Sequence, residues 1–231
     1  MRRTNEQVPS AATSDRQILT VDVVVLTVFD RTLRVGLVTR VADPFPGYDA
    51  LIGGYVHANE DADVGATAMR VLREKTGLGG LFVEQLRTFS GPARDPRGWS
   101  ATVAHMALVP WHRLEPLVGA SPLRFVPIAD AYGALAFDHD AILMAAVGRV
   151  RGKGAYSTLP ARFLPDAFTL AQLRETYEVV LDQGPIDASS FRRKVSELDL
   201  IEPAGESAST GGRPASLYRL RPGDGIFDRR I

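Results

Sequence analysis

Residues 21–30, VDVVVLTVFD, are almost continuously apolar and β-branched. Side chains alternate between the two faces of a strand, so a run with so little polar alternation reads as a strand covered on both sides. The neighbouring segments supply a sheet and its covering layers. RTLRVGLVTR follows a tight Asp30-Arg31 turn and predicts a hairpin. LIGGYV, FVEQLRTFS, WSATVAHMALV and LRFVPI read as further strands, with VADPFPGYDA and GPARDPRG as loops rich in Pro, Gly and Asp. A helix is expected through VGATAMRVLREK, with Asp61 or Asp63 as N-cap and Gly77 as its C′ residue. FDHDAILMAAVGRVRG places Ile142, Ala145, Ala146 and Val150 at helical spacing, which predicts a second amphipathic helix packed on the sheet. The expectation is an α+β chain whose N-terminal part, residues 18–155, is an α/β/α sandwich.

The texture changes near residues 152–165. GKGAYSTLPARFLP carries Gly and Pro and reads as a connector, assigned to residues 156–166. TLAQLRETYEVVLDQ then has the capping-box pair Thr169 and Gln172, with apolar residues at 170, 173, 177, 180 and 181. After the turn GPID, ASSFRRKVSELDL predicts a second short helix with Phe191, Val195 and Leu198 inward. LIEPA and SLYRLRP read as a hairpin with a long Gly/Ser tip, GESASTGGRPA. Two short helices followed by such a hairpin match a winged helix-turn-helix over residues 167–225. Residues 1–17 are polar without hydrophobic period and read as a flexible tail.

Composition bounds the function classes. The chain of 231 residues is 45% apolar and 23% charged, as expected of a folded soluble protein. It has no cysteine, which excludes disulfides and thiolate metal sites. The longest clean apolar run, residues 141–147, is far short of the roughly 20 residues that span a bilayer. The N-terminus lacks the apolar stretch of a signal peptide, so a cytoplasmic location and no membrane partner are expected. Basic and acidic residues balance at 27 each. From residue 166 onward there are nine bases and eleven acids, a net of −2. Any affinity for nucleic acid must therefore come from where the arginines stand rather than from bulk charge, and non-specific binding should be weak.

Residues 53–78, GGYVHANEDADVGATAMRVLREKTGL, resemble the Nudix box, the loop-helix-loop signature of hydrolases that cleave nucleoside diphosphates linked to another group. In that family, glutamates on one helix face gather magnesium around a diphosphate, and the metal neutralises charge and activates water. Arg70, Leu72, Glu74, Gly77 and Leu78 match the pattern, whereas Val71 and Lys75 occupy positions where the family has glutamates. Gly54 and Glu60 have the family's separation, but Glu60 to Arg70 is two residues too long. The helix goes from about three negative charges to none, so magnesium is not expected to bind, no cofactor is required, and no catalytic residue is assigned. Arg70 and Glu74, at i and i+4, can persist as a structural ion pair. The DPRG segment resembles one bordering the nucleotide cleft of ADP-ribose-type Nudix domains. Gly53, Gly54, Arg70, Glu74, Arg94, Asp95, Arg97 and Trp99 are therefore the candidate effector-binding residues, with a polar surface turn as the plainer reading of the DPRG loop. His57, His105, His112 and His139 lack metal-ligand spacing.

On the second C-terminal helix, stepping 100° per residue from Phe191 keeps Val195 and Leu198 on its side and puts Ser189, Arg193 and Ser196 opposite. Ser190 and Arg192 flank them, and Lys194 lies at the core edge, where it would snorkel. Arginine pairs bidentately with guanine and serine binds phosphate or base edges. Ser189, Ser190, Arg192, Arg193 and Lys194 are the candidate DNA contacts on this helix, with Arg213 and Arg219 on the wing. The plainer reading of a lone FRRK run is a solvated helix face.

A degenerate Nudix box followed by the FRRK helix and the GGRPASLYRL wing resembles the Nudix-related transcriptional regulators of the NrtR family, over roughly residues 18–222. The resemblance implies a homodimeric repressor of NAD biosynthesis or salvage genes that binds a palindromic double-stranded operator and senses ADP-ribose or a related NAD metabolite. Two alternatives remain open at this point: an active hydrolase of the ADP-ribose pyrophosphatase type, and a sugar-sensing regulator of the same architecture.

Overall fold

The computed structural model describes residues 17–206, 215–222 and 225–226. Most of the expected polar tail, the glycine-rich wing tip and Arg213 lie outside these residues. The long strand β1 (Ile18–Phe29) is at the centre of the sheet. It turns at Asp30 and Arg31, both with φ near +50°, into antiparallel β2 (Thr32–Thr39). Two positive φ values are the signature of the turn type whose twist matches a right-handed hairpin. A two-residue strand, β3 (Asp49–Ala50), precedes β4 (Ile52–Tyr55), which pairs with the first half of β1. Helix α1 (Val64–Thr76) is capped by Asp63, whose carboxylate accepts the Ala66 N–H at 2.7 Å, and ends on Gly77 at φ 70°. Then come β5 (Phe82–Gly91), β6 (Ser100–Leu108), the single turn α2 (Trp111–Leu114), β7 (Leu123–Pro127), the single turn α3 (Ile128–Ala131) and the long α4 (His139–Gly154).

The order across the sheet is β3-β2-β1-β6-β5, with β7 on β2 and with β1 and β6 parallel. The β-branched run of β1 explains the layering. Val21, Val23 and Val25 face one way and meet Ala68, Val71 and Leu72 of α1. Val24 and Leu26 face the other way and meet Ile142, Leu143, Ala146, Val147 and Val150 of α4. The sandwich is thus built as the alternation of one strand requires. Ala145, expected on the buried stripe of α4, is only half-buried, and Leu143 and Val147 widen the stripe instead.

Helix α5 (Leu170–Leu181) carries the full capping box: Thr169 Oγ1 accepts the Gln172 N–H at 3.1 Å, and Gln172 Oε1 accepts the Thr169 N–H at 2.8 Å. Helix α6 (Ala188–Glu197) is capped by Asp187. The hairpin of β8 (Ile201–Glu206) and β9 (Ser216–Leu220) follows. Leu198, expected inward, is half-buried because the helix ends on it. Phe168, Leu173, Tyr177, Leu181, Phe191 and Val195 form the third core. Two backbone hydrogen bonds between Phe168 and Tyr218, 2.8 and 2.9 Å, tie the wing to the entry of α5.

The stretch between the two parts is a packed joint rather than an open tether. A short 3-10 turn, Leu159–Phe163, sends Leu159 and Phe163 into the α4-side core and Ala161 into the third core. Val180 of α5 enters the α4-side core as well. Pro160 packs closely on Gly154 at the end of α4, where a β-carbon would come within 3.1 Å of the proline ring.

Candidate ligand cleft and nucleic-acid interface

A cleft of about 640 Å³ opens beside the paired ends of β1 and β4. Gly53 and Gly54 line it. A β-carbon on Gly53 would collide with the Asp22 carboxylate, and one on Gly54 would come within 2.9 Å of Val71 on α1. These glycines therefore set how closely the strand approaches its neighbours.

The loop after β5 supplies one wall. The Arg94 side chain, only 8% exposed, forms a bidentate pair with Asp138, at 3.0 and 2.8 Å, with a longer 3.5 Å contact to Asp22. Asp95 is buried and grips Arg97 through two side-chain hydrogen bonds of 3.0 and 2.7 Å, while Arg97 reaches the Tyr55 hydroxyl at 2.8 Å. That guanidinium holds the Asp95 carboxyl below the usual carboxylate range. Beside it lies an aromatic patch: the Arg97 guanidinium is 6.0 Å and the Arg40 guanidinium 4.7 Å from the Phe137 ring centroid, and Phe45 meets Phe137 edge-on at 4.9 Å. His139 forms the buried end. Its Nδ1 accepts the Leu51 N–H at 3.0 Å, which places the ring proton on Nε2, 3.6 Å from Asp22. Burial pushes its pKa down, so the ring is neutral.

Of the expected effector residues, Gly53, Gly54, Arg94, Asp95 and Arg97 meet at this cleft. Arg70, Glu74 and Trp99 are not among its lining residues. Trp99 is 48% exposed, and its carbonyl accepts the Ile18 N–H. Arg70 closes the loop before α1. It grips Asp61 through two bonds of 2.8 Å, donates to the Tyr55 carbonyl at 2.9 Å and reaches Glu74 at 3.2 Å. The pairing with Asp61, nine residues away, outranks the helical pair with Glu74, and it holds the Asp61 carboxyl far below the usual range. Sequence reasoning also missed Asp22, Arg40, Phe137 and His139. Only Asp22 carried a signal, as an acid inside an apolar strand.

The family's magnesium does not fit this donor set. Val71 is buried under Gly54, Glu74 and Asp61 are engaged by Arg70, and Lys75 brings a positive charge to the cleft. A hard divalent ion needs several free carboxylate oxygens. Among the described residues no group of three acids or histidines is placed to hold one.

The second candidate interface is α6. Ser189, Ser190, Arg192, Arg193 and Ser196 are exposed along one side, while Phe191 and Val195 are buried on the other. Lys194 is half-buried, as its place at the core edge predicts. Arg193 has only a loose 3.9 Å contact with Glu197, and Arg192 has no acidic partner among the described residues. On the wing, Arg219 is paired to Glu202 at 2.6 Å, and Arg221 reaches Asp199 and Glu202. These two arginines brace the hairpin and would have to exchange partners to touch phosphate. Among the described residues no helix is long and apolar enough to cross a membrane.

A Nudix-type ligand cleft joined to a winged helix defines a transcriptional regulator with its sensor in the same chain. Residues 160–220 match the model of the NrtR DNA-binding winged helix domain. The chain is 35% identical over 213 residues to the ADPR responsive transcriptional repressor NtrR of Acinetobacter baylyi, covering 91% of this chain and 85% of that one. It superposes on Shewanella oneidensis NrtR complexed with a 27mer DNA with a TM-score of 0.84 and 37% identity, over 92% of this chain and 99% of the other. The NUDIX domain of the Shewanella protein complexed with ADP ribose matches at a TM-score of 0.52 and 36% identity, over 58% of this chain and 88% of the other. The chain belongs to the NrtR family of Nudix-related transcriptional regulators.

Proposed function

We propose that this chain is a repressor of NAD biosynthesis or salvage genes that binds a palindromic operator as a homodimer and releases it on binding ADP-ribose or a related NAD metabolite. The observation that carries the reading is the likeness, along almost the whole chain, to a regulator in complex with DNA, with both the cleft and the exposed α6 face intact. Gly53, Gly54 and Arg97 face the effector, while Arg94 and Asp95 hold the wall in shape. Ser189, Ser190, Arg192 and Arg193 enter the major groove, with Lys194 reaching the backbone beside them. Release requires the effector to bind the free conformation more tightly than the DNA-bound one.

The Nudix part acts as a binding site and not as a hydrolase, because the acids that would hold magnesium are replaced by Val71 and Lys75. The test has two arms. Genomic fragments retained by the protein are sequenced, and retention is repeated with ADP-ribose, NAD and free pentoses. Enrichment of NAD-gene promoters and their release by ADP-ribose are expected; release by a pentose alone would identify a sugar sensor. Incubation with ADP-ribose and magnesium should leave the nucleotide intact, and turnover near roughly 1 s⁻¹ would make the chain an enzyme.

A further inference from the structure

Lys75 stands one helical turn after Val71, on the face of α1 that packs under Gly54, and it lines the same cleft as Gly53 and Gly54. Three other cations line that cleft, and each is engaged. Arg94 is paired with Asp138 and Arg97 with Asp95, while Arg40 donates to the carbonyls of Pro44 and Ala42 and stacks on Phe137. Lys75 has no hydrogen bond or ion pair among the described residues. An anion entering the cleft therefore meets one uncommitted positive charge, at a position where the family resemblance puts a metal-binding acid.

Resting on the reading of a nucleotide effector, we propose that Lys75 replaces the metal: its ammonium neutralises the effector's diphosphate, so that this chain binds its ligand without a divalent cation. A lysine is suited to this because its ammonium is a compact point charge on a flexible stem and needs no fixed planar geometry to meet phosphate oxygens. The surroundings favour the exchange. Lys75 lies in the last turn of α1, at the negative end of the helix dipole, where a cation is favoured and a diphosphate without one would be repelled. An exposed lysine there also stabilises the helix end modestly, so a purely structural role would show in the melting temperature and not in ligand affinity.

The experiment is calorimetric titration of the full chain with ADP-ribose, and separately with inorganic diphosphate, in chelator and in excess magnesium. Lys75→Gln, Lys75→Arg and Lys75→Glu are compared with the parent. The proposal expects the parent to bind both ligands equally well with and without magnesium. Lys75→Gln should weaken both by about tenfold, with a shallower salt dependence, while Lys75→Arg retains most of the affinity. Lys75→Glu should weaken metal-free binding further. Parent binding that requires magnesium, or unchanged affinity in Lys75→Gln, overturns it. If the parent binds diphosphate but not ADP-ribose, the effector reading fails, and loss of diphosphate binding in Lys75→Gln still supports the charge replacement. If the parent binds neither ligand, both fail.

Discussion

Arg31, at the tip of the β1–β2 hairpin, donates to the Glu178 carboxylate of α5 at 3.1 Å, and Glu178 in turn accepts the Ile186 N–H at 2.9 Å just before helix α6. The same carboxylate takes Arg174 at 2.6 Å. One acid thus connects the sheet of the Nudix-like part to the segment that leads into α6, across a crevice of about 450 Å³ lined from both sides. A second bridge, Arg151 to Asp182 at 2.6 Å, crosses the same joint.

Loss of the first bridge should uncouple the two parts without unfolding either. Arg31 is largely exposed, so Arg31→Ala should change stability by no more than about 1 kcal/mol. ADP-ribose should still bind, yet lower operator affinity by a smaller factor than in the parent. Mobility-shift titrations with and without ligand measure that factor, and an unchanged ratio would remove Arg31 from the coupling. Glu178→Ala is harsher, because it removes the acceptor of the Ile186 N–H and the charge partner of Arg174, which keeps only the Ile186 carbonyl, and a loss of about 1–3 kcal/mol is expected in denaturant melts.

Gly53→Ala tests the cleft. The new methyl group meets the Asp22 carboxylate and lies 3.1 Å from the Val21 carbonyl, neither of which can swing away freely inside the sheet. Overpacking of this kind costs about 1–3 kcal/mol. Thermal melts should show the destabilisation, and calorimetry should show loss of nucleotide binding. Tight nucleotide binding by a stable Gly53→Ala protein would place the ligand elsewhere.

On the DNA side, Arg193→Ala should weaken operator binding by about 1–3 kcal/mol, concentrated at particular base pairs. The basis is its exposed position opposite Phe191 and Val195, with only a loose contact to Glu197. Binding measured across a panel of single-base operator variants separates the alternatives. A uniform loss over all sequences would make Arg193 a phosphate contact.

Acid should destabilise the chain in two stages. His139 is neutral in the fold because burial lowers its pKa below the ordinary 6.5. Above that value both folded and unfolded chains carry a neutral ring. As pH falls below it the unfolded chain gains a proton that the fold refuses, so stability declines. His105, also depressed by burial, acts in the same direction. Asp61 adds a later loss: its folded pKa lies below the ordinary 3.8, so the stability it contributes is present above that value and disappears as the pH falls toward the folded one. Denaturant melts from about pH 7.5 to about pH 5.5 should show the histidine slope, and His139→Gln should flatten part of it. An equal slope in the variant would assign the effect to other groups.

The secondary structure was largely legible in advance because its causes are local. The apolar run of residues 21–30, the Thr169–Gln172 capping box, an N-cap at Asp61 or Asp63 and Gly77 as the C′ residue are written in periodicity and end chemistry; the structure places strand, helices and caps accordingly and selects Asp63. The exposed side of α6 followed from the angular position of Phe191 for the same reason. The joint at residues 156–166 was harder to read. Gly and Pro signal a break in regular structure, but they do not tell whether the broken segment is solvated or, as here, folded into two cores.

The candidate cleft divides in the same way. Chain order alone established that a Nudix-like part with a degenerate box precedes a winged helix, because motif spacing and the identity of Val71 and Lys75 are properties of the string of residues. Which side chains share the cleft was settled by packing. Asp22 meets Arg94 and approaches His139 because β1 runs beside β6 and the end of α4 lies over the sheet. Arg70 prefers Asp61 to Glu74 because the loop before α1 folds back to present both carboxylate oxygens at 2.8 Å, a geometry that an i, i+4 helical pair does not match here. Local chemistry selects the elements, whereas ion-pair partners depend on distances between residues far apart in the chain, and those distances exist only once the layers have closed.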